Sequence, residues 1–536
     1  MKIFIWLIFL VSSVPSVSGQ AYLDHFVTGG AEEGYGNRNM AYDSNGSLYV
    51  VGSFNGIYDV AGATISSSYN SAIYLAKFNS DDLSLIWLQR VAESSALFLK
   101  SSIAVDSENN LIVGIGFEND LILFNDSVVI PNQESVQLIK LASDGEKIWS
   151  YEIEADALGN KGVRCDALNN IVVTGTLNED VFVAKYDTNG SLTWSRRGGS
   201  QSSSDDGYFV DVDSEGNVYA SGRLNPSSSI YFDNYHVQMP VNVYSASFIA
   251  KYNAGGMIQW VRYVYSQTFA KFAFISSLHV LESDSVIMSG WFDESLLRFS
   301  NGFSPVGNNQ SGFSAGFLTC FAPDGNRVWA RKLHNNTNGY DGGVNGLTSI
   351  ANNIYLTDQF EGTITFDTAA YAAEESDLLL ERYDPNGNLM SSMQIGGDGF
   401  DIASELLIAG SLIYILGATE SQPFHVGNDS FEIDHPMSMF VISLTDNFVD
   451  LPEINASTEQ LGIFPNPNNG SFIVIHPNSE GELFVKDIGG KVITSFPISS
   501  SEISEDIKLD LRSGVYFLTM TTENRAYSSR FVVTSP

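Results

Sequence analysis

A hairpin motif ending in tryptophan recurs along this 536-residue chain, and it limits the choice of fold more than any other feature. Four tryptophans stand four residues after a glycine, in the segments ASDGEKIW, DTNGSLTW, NAGGMIQW and PDGNRVW, which end at Trp149, Trp194, Trp260 and Trp329. A strand-like run such as VAKY (183–186) precedes each turn. A polar turn with glycine between two such runs predicts a β-hairpin.

A second hairpin precedes each of these. It reads AYDSNGSLYVVG (41–52), AVDSENNLIVG (104–114), RCDALNNIVVTG (164–175) and DVDSEGNVYASG (211–222), with weaker copies at 279–290, 349–358 and 406–417. Seven units of four strands therefore lie between residues 30 and 449. Such units suit a β-propeller, because neighbouring blades cover the apolar faces of each blade. The sequence predicts an all-β protein with a seven-bladed propeller of four-stranded antiparallel blades at residues 20–449.

The chain also contains a means of closing the ring. The seventh unit has MFVISL (439–444) as its third strand but lacks a Trp-type fourth strand, whereas AYLDHFVTGG (21–30) is a strand without a partner. We predict that residues 21–28 complete the seventh blade. The alternative is a frayed N-terminal extension.

Residues 205–260 give the clearest copy of the whole unit, and their pattern resembles the bacterial β-propeller repeat family abbreviated SBBP. The resemblance covers about residues 26–445. Later units depart from it: Leu281 replaces the turn aspartate, and we take the repeat lysine to be lost at Cys320, Glu381 and Ser443. The resemblance implies a fold, and this family carries no catalytic motif to transfer.

The C-terminal segments LGIFPNPNNGSFIV, FVKDIGGKVI and IKLDLRSGVYFLTM follow a linker at 450–460. They resemble the type IX secretion sorting domain, or Por secretion tail, of Bacteroidota. The positions that carry the match include Pro465, Asn466, Pro467, Gly470, Asp487, Gly490, Lys491, Gly514 and Tyr516. The resemblance implies a small β-sandwich at 461–536, type IX secretion machinery as a partner, and a secreted or surface location on a Gram-negative bacterium. The alternative is a generic adhesive β-sandwich.

The N-terminus and the overall charge narrow the location and the partners. Residues 1–19 have the basic start, apolar run and small-residue end of a secretory signal peptide. With 27 basic and 62 acidic residues the formal charge is −35, which disfavours binding to nucleic acid or to anionic membranes. The apolar run at 3–11 is too short for a transmembrane helix, and no later uncharged run is long enough for one.

Sites for chemistry are sparse. Aligned on the blade glycines, Arg164, Asp211 and His279 share one position of the innermost strand, so they could line a central channel and either catalyse or simply provide a polar lining. Asp211, Asp213 and Glu215 resemble the start of a calcium loop, but turn chemistry explains them better and we expect no cofactor. Cys165 and Cys320 lie in units three and five, so both are expected to be buried free thiols.

These features favour a secreted or cell-surface binding module for a glycan or protein ligand, without enzymatic activity. The alternative is a carbohydrate-active hydrolase or lyase that uses the channel. Convergence of two carboxylates, or of a histidine with a carboxylate, in a pocket would favour the enzyme.

Overall fold

The computed structural model describes residues 21–31, 38–97, 99–124, 126–200, 204–225, 229–268, 271–293, 296–300, 306–307, 314–336, 341–366, 370–427, 429–433, 438–446, 461–464, 471–475, 481–487, 492–498, 504–509, 511, 514–522 and 526–533. The predicted signal peptide and the linker at 450–460 lie outside these residues. The chain divides into two compact units, Met1–Phe448 and Val449–Pro536.

The described residues form β-strands and no α-helix, so the all-β prediction is confirmed. The strands of the first part of the chain are β1 (Ala21–Ala31), β2 (Arg38–Tyr42), β3 (Ser47–Phe54), β4 (Ile57–Val60), β5 (Ala63–Ser66), β6 (Ser71–Asn79), β7 (Leu85–Ser94), β8 (Lys100–Val105), β9 (Leu111–Leu123), β10 (Asp126–Leu141), β11 (Lys147–Ile153), β12 (Ala157–Cys165), β13 (Ile171–Leu177), β14 (Asp180–Tyr186), β15 (Leu192–Ser200), β16 (Asp206–Val212), β17 (Val218–Leu224), β18 (Ser229–Phe232), β19 (Tyr235–Gln238), β20 (Ser245–Tyr252) and β21 (Ile258–Ser266).

The remaining strands follow in the same chain order. They are β22 (Ala273–Val280), β23 (Val286–Phe292), β24 (Leu296–Phe299), β25 (Val306–Gly307), β26 (Ala315–Phe321), β27 (Arg327–Lys332), β28 (Asn335–Asn336), β29 (Asp341–Ile350), β30 (Asn353–Thr365), β31 (Ala370–Tyr383), β32 (Leu389–Gly397), β33 (Asp401–Ala409), β34 (Leu412–Thr419), β35 (Phe424–Val426), β36 (Asp429–Phe431), β37 (Ser438–Asp446), β38 (Gly462–Phe464), β39 (Ser471–Ile475), β40 (Gly481–Asp487), β41 (Val492–Ile498), β42 (Ser504–Lys508), β43 (Gly514–Thr522) and β44 (Ala526–Val533).

In the first compact unit the strands pair antiparallel in sets of four, in the order that the repeat predicts. These sets, called sheets one to seven below, are β2-β3-β6-β7, β8-β9-β10-β11, β12-β13-β14-β15, β16-β17-β20-β21, β22-β23-β26-β27, β29-β30-β31-β32 and β33-β34-β37-β1. The first strands of successive sheets lie beside one another, and β33 of sheet seven also contacts β2 of sheet one.

The first and last strands of the first compact unit meet in sheet seven. Strand β1 pairs with β37 from Ala21 opposite Asp446 to Gly30 opposite Ser438. The predicted role of residues 21–28 as the missing strand of the seventh unit is therefore confirmed. Since β37 also pairs with β34, strand β1 covers an edge of the sheet that would otherwise be open.

Short hairpins within the joining loops extend several sheets beyond four strands. The pair β18 and β19 adds to β15, the pair β35 and β36 adds to β32, and the pair β4 and β5 adds to β1. In each case the hairpin belongs to one unit and pairs with the fourth strand of the unit before it. The long connection between β17 and β20 therefore includes a contact with the preceding unit.

Buried faces follow from this arrangement. Middle strands such as β3 and β26 are buried along nearly their whole length, since both of their faces are covered. Fourth strands such as β15 alternate between exposed and buried residues, as an outer strand should.

Each tryptophan of the repeat packs onto the following unit. The indole of Trp194 donates from Nε1 to the carbonyl oxygen of Ala254 at 3.1 Å, and Arg196 donates from Nε to Gly256 at 2.6 Å. Gly256 adopts a φ of +81°, and a Cβ there would lie 2.6 Å from the indole, so the turn needs glycine. We call this contact the Trp latch.

The Trp latch recurs in the next two units. Trp260 donates to Pro323 and Trp329 donates to Pro385, each at 3.0 Å. Trp194, Trp260 and Trp329 are buried, whereas Trp87 and Trp149 are only half-buried. Sheet six has Ser391 at this position. In the following sheet the third and fourth strands, β37 and β1, are far apart in the chain and are not joined by a hairpin turn.

Two details correct the sequence interpretation. In sheet six Arg382 lies opposite Tyr355, just as Lys251 lies opposite Tyr219 in sheet four. The repeat therefore keeps a basic residue at this position of sheet six. Glu381 is one position out of register with it. Cys320 is buried but Cys165 is only half-buried, because it ends β12 beside the turn. Both thiols are free, and burial raises the pKa of each to about 12.

The second compact unit is also built from antiparallel sheets. One has the order β38-β39-β42 and the other has the order β41-β40-β43-β44. Phe472, Val474, Leu483, Val485 and Leu518 are among the residues of its own buried core. Two sheets around one core agree with the predicted small sandwich.

Candidate functional site

The structure brings Arg164, Asp211 and His279 together, each near the C-terminal end of the first strand of its sheet. Nε of Arg164 lies 3.7 Å from Oδ1 of Asp211, and Nδ1 of His279 lies 3.2 Å from Oδ2 of the same carboxylate. The side chains of Arg164 and His279 keep about a third and a quarter of their surface exposed, respectively, whereas Asp211 is nearly buried. The carboxylate therefore lies beneath two basic side chains that face solvent.

A fourth residue completes the group. Ser349, on β29 of sheet six, places its Oγ 2.9 Å from Nε2 of His279. Serine, imidazole and carboxylate thus form one hydrogen-bonded series in which Asp211 orients the ring of His279. We call Arg164, Asp211, His279 and Ser349 the central mouth.

Two backbone N–H groups hold the carboxylate of Asp211 in place. The N–H groups of Val212 and Val280 donate to Asp211 at 3.0 and 2.9 Å. Burial alone would raise the pKa of this carboxyl, but the hydrogen bond from His279, the charges of His279 and Arg164 and the N–H of Val280 together lower it. The carboxylate remains ionised and available to orient an imidazole.

A buried ion pair joins two other residues of the first strands. Nζ of Lys161, on β12, lies 2.6 Å from Oε1 of Glu405 on β33, and it also donates to the carbonyl oxygen of Asn345 on β29 at 3.2 Å. Sheets three and seven are not neighbours in the series, so Lys161 reaches across the space that the first strands surround. Lys161 and Glu405 are both buried. The pair therefore links two first strands that are not neighbours.

Local backbone geometry makes this reach possible. The pairing of β12 with β13 shifts register between Leu158 and Val163, which releases a bulge that contains Lys161. Glycines flank the lysine, and a Cβ on Gly159 would lie 2.7 Å from the carbonyl oxygen of Tyr208. Only a residue without a side chain allows sheet four to approach so closely.

Sequence reasoning missed Ser349, Lys161 and Glu405. A lysine between glycines at 159–162 was the only signal of the bulge, and nothing marked Glu405 as its partner. Ser349 begins the segment 349–358, a weak copy of the hairpin that precedes the tryptophan hairpin, and no motif marks it.

The residues considered for calcium do not converge. Asp211 belongs to the central mouth, whereas Asp213 lies 3.2 Å from Nζ of Lys251 and accepts the N–H groups of Glu215 and Asn217 in its own turn. Among the described residues no group of three or more His, Cys, Asp or Glu side chains is arranged to hold a metal ion.

The sorting residues divide between described and undescribed positions. Asp487, Gly514 and Tyr516 lie on β40 and β43, where Asp487 pairs with Tyr516. Pro465, Asn466, Pro467, Gly470, Gly490 and Lys491 lie outside the described residues.

Comparison with protein families finds one match: residues 462–534 match the secretion system C-terminal sorting domain. Such a domain directs proteins out of Gram-negative bacteria of the Bacteroidota type, so the chain is secreted or displayed on the cell surface. Within the described residues no helix has the length and apolar character to cross a membrane. Comparison with curated proteins finds no match.

Solved structures of similar shape are remote in sequence. A protein of unknown function from Dyadobacter fermentans is 7% identical with a TM-score of 0.36, over 80% of this chain and 98% of its own. Drosophila Plexin A in complex with Semaphorin 1b is 8% identical with a TM-score of 0.38, over 80% and 88%. PorZ, a surface component of the type IX secretion system of Porphyromonas gingivalis, is 10% identical with a TM-score of 0.17, over 92% and 81%. Likenesses this distant carry no argument about function.

Proposed function

We propose that residues 20–449 form a seven-bladed SBBP-type β-propeller that acts outside the cell as a binding module, exported by the domain at 461–536 after cleavage of residues 1–19. The seven four-stranded sheets support the blade count. The contact of β33 with β2 supports closure, since it leaves the series of first strands without a free end. A propeller needs closure because each blade relies on its neighbours for burial.

The observation that carries the binding proposal is the central mouth. The buried Lys161–Glu405 pair joins sheets three and seven across the space that the first strands surround. Its partly exposed guanidinium, imidazole and hydroxyl groups offer hydrogen bonds to a polar ligand at the place where four sheets meet. We propose a glycan or a protein loop as that ligand.

Binding at the mouth is tested with the full-length protein on a glycan array and in pull-downs of outer-membrane and host-surface proteins. The Arg164→Ala variant removes the most exposed group of the mouth, and Arg223→Ala removes an exposed arginine elsewhere as the matched control. Loss of captured ligand in the first variant alone supports the proposal. Equal binding by both variants, or no ligand from either source, contradicts it.

A second candidate function is hydrolysis of an acyl ester on a glycan, and the Ser349–His279–Asp211 series favours it. Oγ of Ser349 would add to the ester carbonyl while its proton moves to Nε2 of His279. The same proton would then pass to the departing alcohol, and water would release the acid by the reverse route. This arrangement gives the carbohydrate-active alternative a specific site.

A fluorophosphonate probe tests this second candidate, because it labels only an activated serine. Labelling and turnover of an acetylated sugar should be lost in Ser349→Ala and kept in Thr348→Ala. An unlabelled wild-type protein, or equal labelling of both variants, would eliminate hydrolysis at this site.

A further inference from the structure

A second pocket lies away from the central mouth, where the hairpin of unit four pairs with sheet three. It has a volume of about 450 Å³, within the range of roughly 300–1,000 Å³ that is usual for small-molecule sites. Three segments form its walls: the turn between β13 and β14, the end of β15, and the hairpin of β18 and β19. We call it the side pocket.

One wall of the side pocket presents an aromatic ring to solvent. Tyr231 is 41% exposed, and its ring stacks on His236 with centroids 4.8 Å apart and planes 22° apart. The residues on either side of it, Ile230 and Phe232, are fully buried. The strand is therefore anchored from below, which holds the ring in place as a flat platform.

The opposite wall presents a charged pair. Nη2 of Arg197 lies 2.6 Å from Oδ2 of Asp180 and donates to the carbonyl oxygen of Leu177 at 3.2 Å. The guanidinium and the carboxylate are thus fixed side by side, with Arg197 nearly half exposed. Rigid neighbouring donors and acceptors suit adjacent hydroxyl groups, because each hydroxyl can donate to one partner and accept from the other.

The turn that holds this pair has an unusual backbone. Asn178 and Glu179 both adopt left-handed φ angles, +50° and +65°, where glycine would be the ordinary choice. Non-glycine residues at such angles cost free energy and cluster at ligand sites. Here they place an amide and a carboxylate on the wall of the pocket.

The floor is glycine backbone supported by a buried acid. A Cβ on Gly199 would lie 2.6 Å from Oδ2 of Asp205, so no side chain fits there. Asp205 accepts the N–H groups of Ser200 and Asn225, each at 2.6 Å. These bonds fix the end of β15 and keep the floor rigid.

Charge selects the class of ligand. Glu179, Asp180 and Asp233 line the pocket against the single cation Arg197. Arg196 balances Asp233 at 3.1 Å, yet the pocket stays acidic. Uronates, sialic acids, sulfates and phosphates would be repelled. We infer that the side pocket binds an uncharged sugar residue, with its apolar face on Tyr231 and adjacent hydroxyls on Asp180 and Arg197.

This inference goes beyond the binding proposed at the central mouth and does not depend on it. The test applies the full-length protein to a glycan array that carries uncharged, uronate and sialylated glycans, followed by titration of the uncharged glycans that bind. Tyr231→Ala should weaken their binding at least about tenfold, a loss of about 1.4 kcal/mol. Tyr231→Phe keeps the platform and should bind within about threefold of the wild type.

Two controls make the result specific. Tyr244→Ala removes another exposed tyrosine and should leave binding unchanged. Arg223→Ala removes an exposed arginine that belongs neither to the side pocket nor to the central mouth, and it should also leave binding unchanged. Thermal unfolding of Tyr231→Ala checks that the hairpin stays folded. Undiminished binding by folded Tyr231→Ala, a preference for anionic glycans, or no uncharged glycan bound by the wild type would overturn the inference.

Discussion

Leu281 and Cys320 occupy, in sheet five, the two positions at which Asp213 and Lys251 form an ion pair in sheet four. The N–H of Leu281 donates to the carbonyl oxygen of Ser285, and the N–H of Asp213 closes the equivalent turn in sheet four. Leu281 and Cys320 belong to one buried apolar cluster. The two partners of the ion pair are thus lost together. A buried charge without its partner is costly, whereas an apolar pair in the same place is not.

Restoring the pair in sheet five should show strong coupling. Leu281→Asp and Cys320→Lys, each alone, bury an unpaired charge and should each lower the free energy of unfolding by about 3–5 kcal/mol. The double variant should lose at least about 1 kcal/mol less than the sum of the two. Urea denaturation of all four proteins measures the difference, and strict additivity would show that the two sites do not meet.

Removal of the N-terminal strand should open the seventh sheet. A mature chain that starts at Gly29 loses most of the pairing between β1 and β37 and exposes the edge of β37. We expect its melting temperature to fall sharply. A synthetic peptide of residues 21–31 should restore part of the loss, whereas a scrambled peptide should not. An unchanged melt would show that the strand contributes nothing.

The loss of stability on replacing a single tryptophan by alanine should increase with the burial of its ring. Trp194 is buried and hydrogen-bonded through the Trp latch, so Trp194→Ala should cost about 3–5 kcal/mol. Trp149 is half-buried, and Trp149→Ala should cost less. Emission should be blue-shifted overall, with iodide quenching only the fraction that comes from half-buried rings. Equal costs for the two variants would contradict a latch that depends on burial.

Two buried acids should make stability fall as pH rises. Asp401 accepts from Gly397 N–H at 3.0 Å and Ser421 Oγ at 2.7 Å, and Asp377 also accepts from Gly397. Burial raises the pKa of Asp377 to about 6, and burial with the charge of Asp377 raises that of Asp401 to about 7. Carboxyl groups in the unfolded chain titrate near pH 4. Between about pH 4 and 7 the folded state therefore binds more protons than the unfolded state, and the free energy of unfolding falls as the pH rises.

Replacement of one acid tests this sign. Asp401→Asn cannot ionise, so it should stabilise the protein at pH 8 by up to about 1.4 kcal/mol for each unit of the raised pKa. It should change little at pH 4, where Asp401 is already protonated. Asp429→Asn is the exposed control. Urea denaturation at both pH values measures the effect, and a benefit limited to pH 4 would reverse the assignment.

Export should depend on the second compact unit and folding should not. A chain that ends at Asp450 keeps all seven sheets but lacks the residues that match the sorting domain. We expect it to fold and to accumulate in the periplasm. Cell fractionation and circular dichroism check the two expectations. Normal yield in the medium would contradict the role of residues 462–534.

The sequence predicted whatever depends on local turn chemistry. Hairpins around Asp213 and Gly256 could be placed because their turns need those residues, and the pairing of residues 21–28 followed from a missing strand. Contacts across the centre could not be predicted. Lys161 and Glu405 are separated by 244 positions, and no pattern in either strand indicates the other. Ser349 becomes informative only once its distance to His279 is known.

Because β1 and β37 lie far apart in the chain, sheet seven can be completed only late in synthesis. Ala21 is synthesised early, yet its partner Asp446 follows more than 400 residues later. Contacts of such long range are slow to form and leave an unpaired strand waiting in the meantime. The first sheets can assemble while the chain is still being made, but the last cannot. Sheet seven should therefore be completed only after residues 21–446 have all been synthesised, with β1 in need of protection until then.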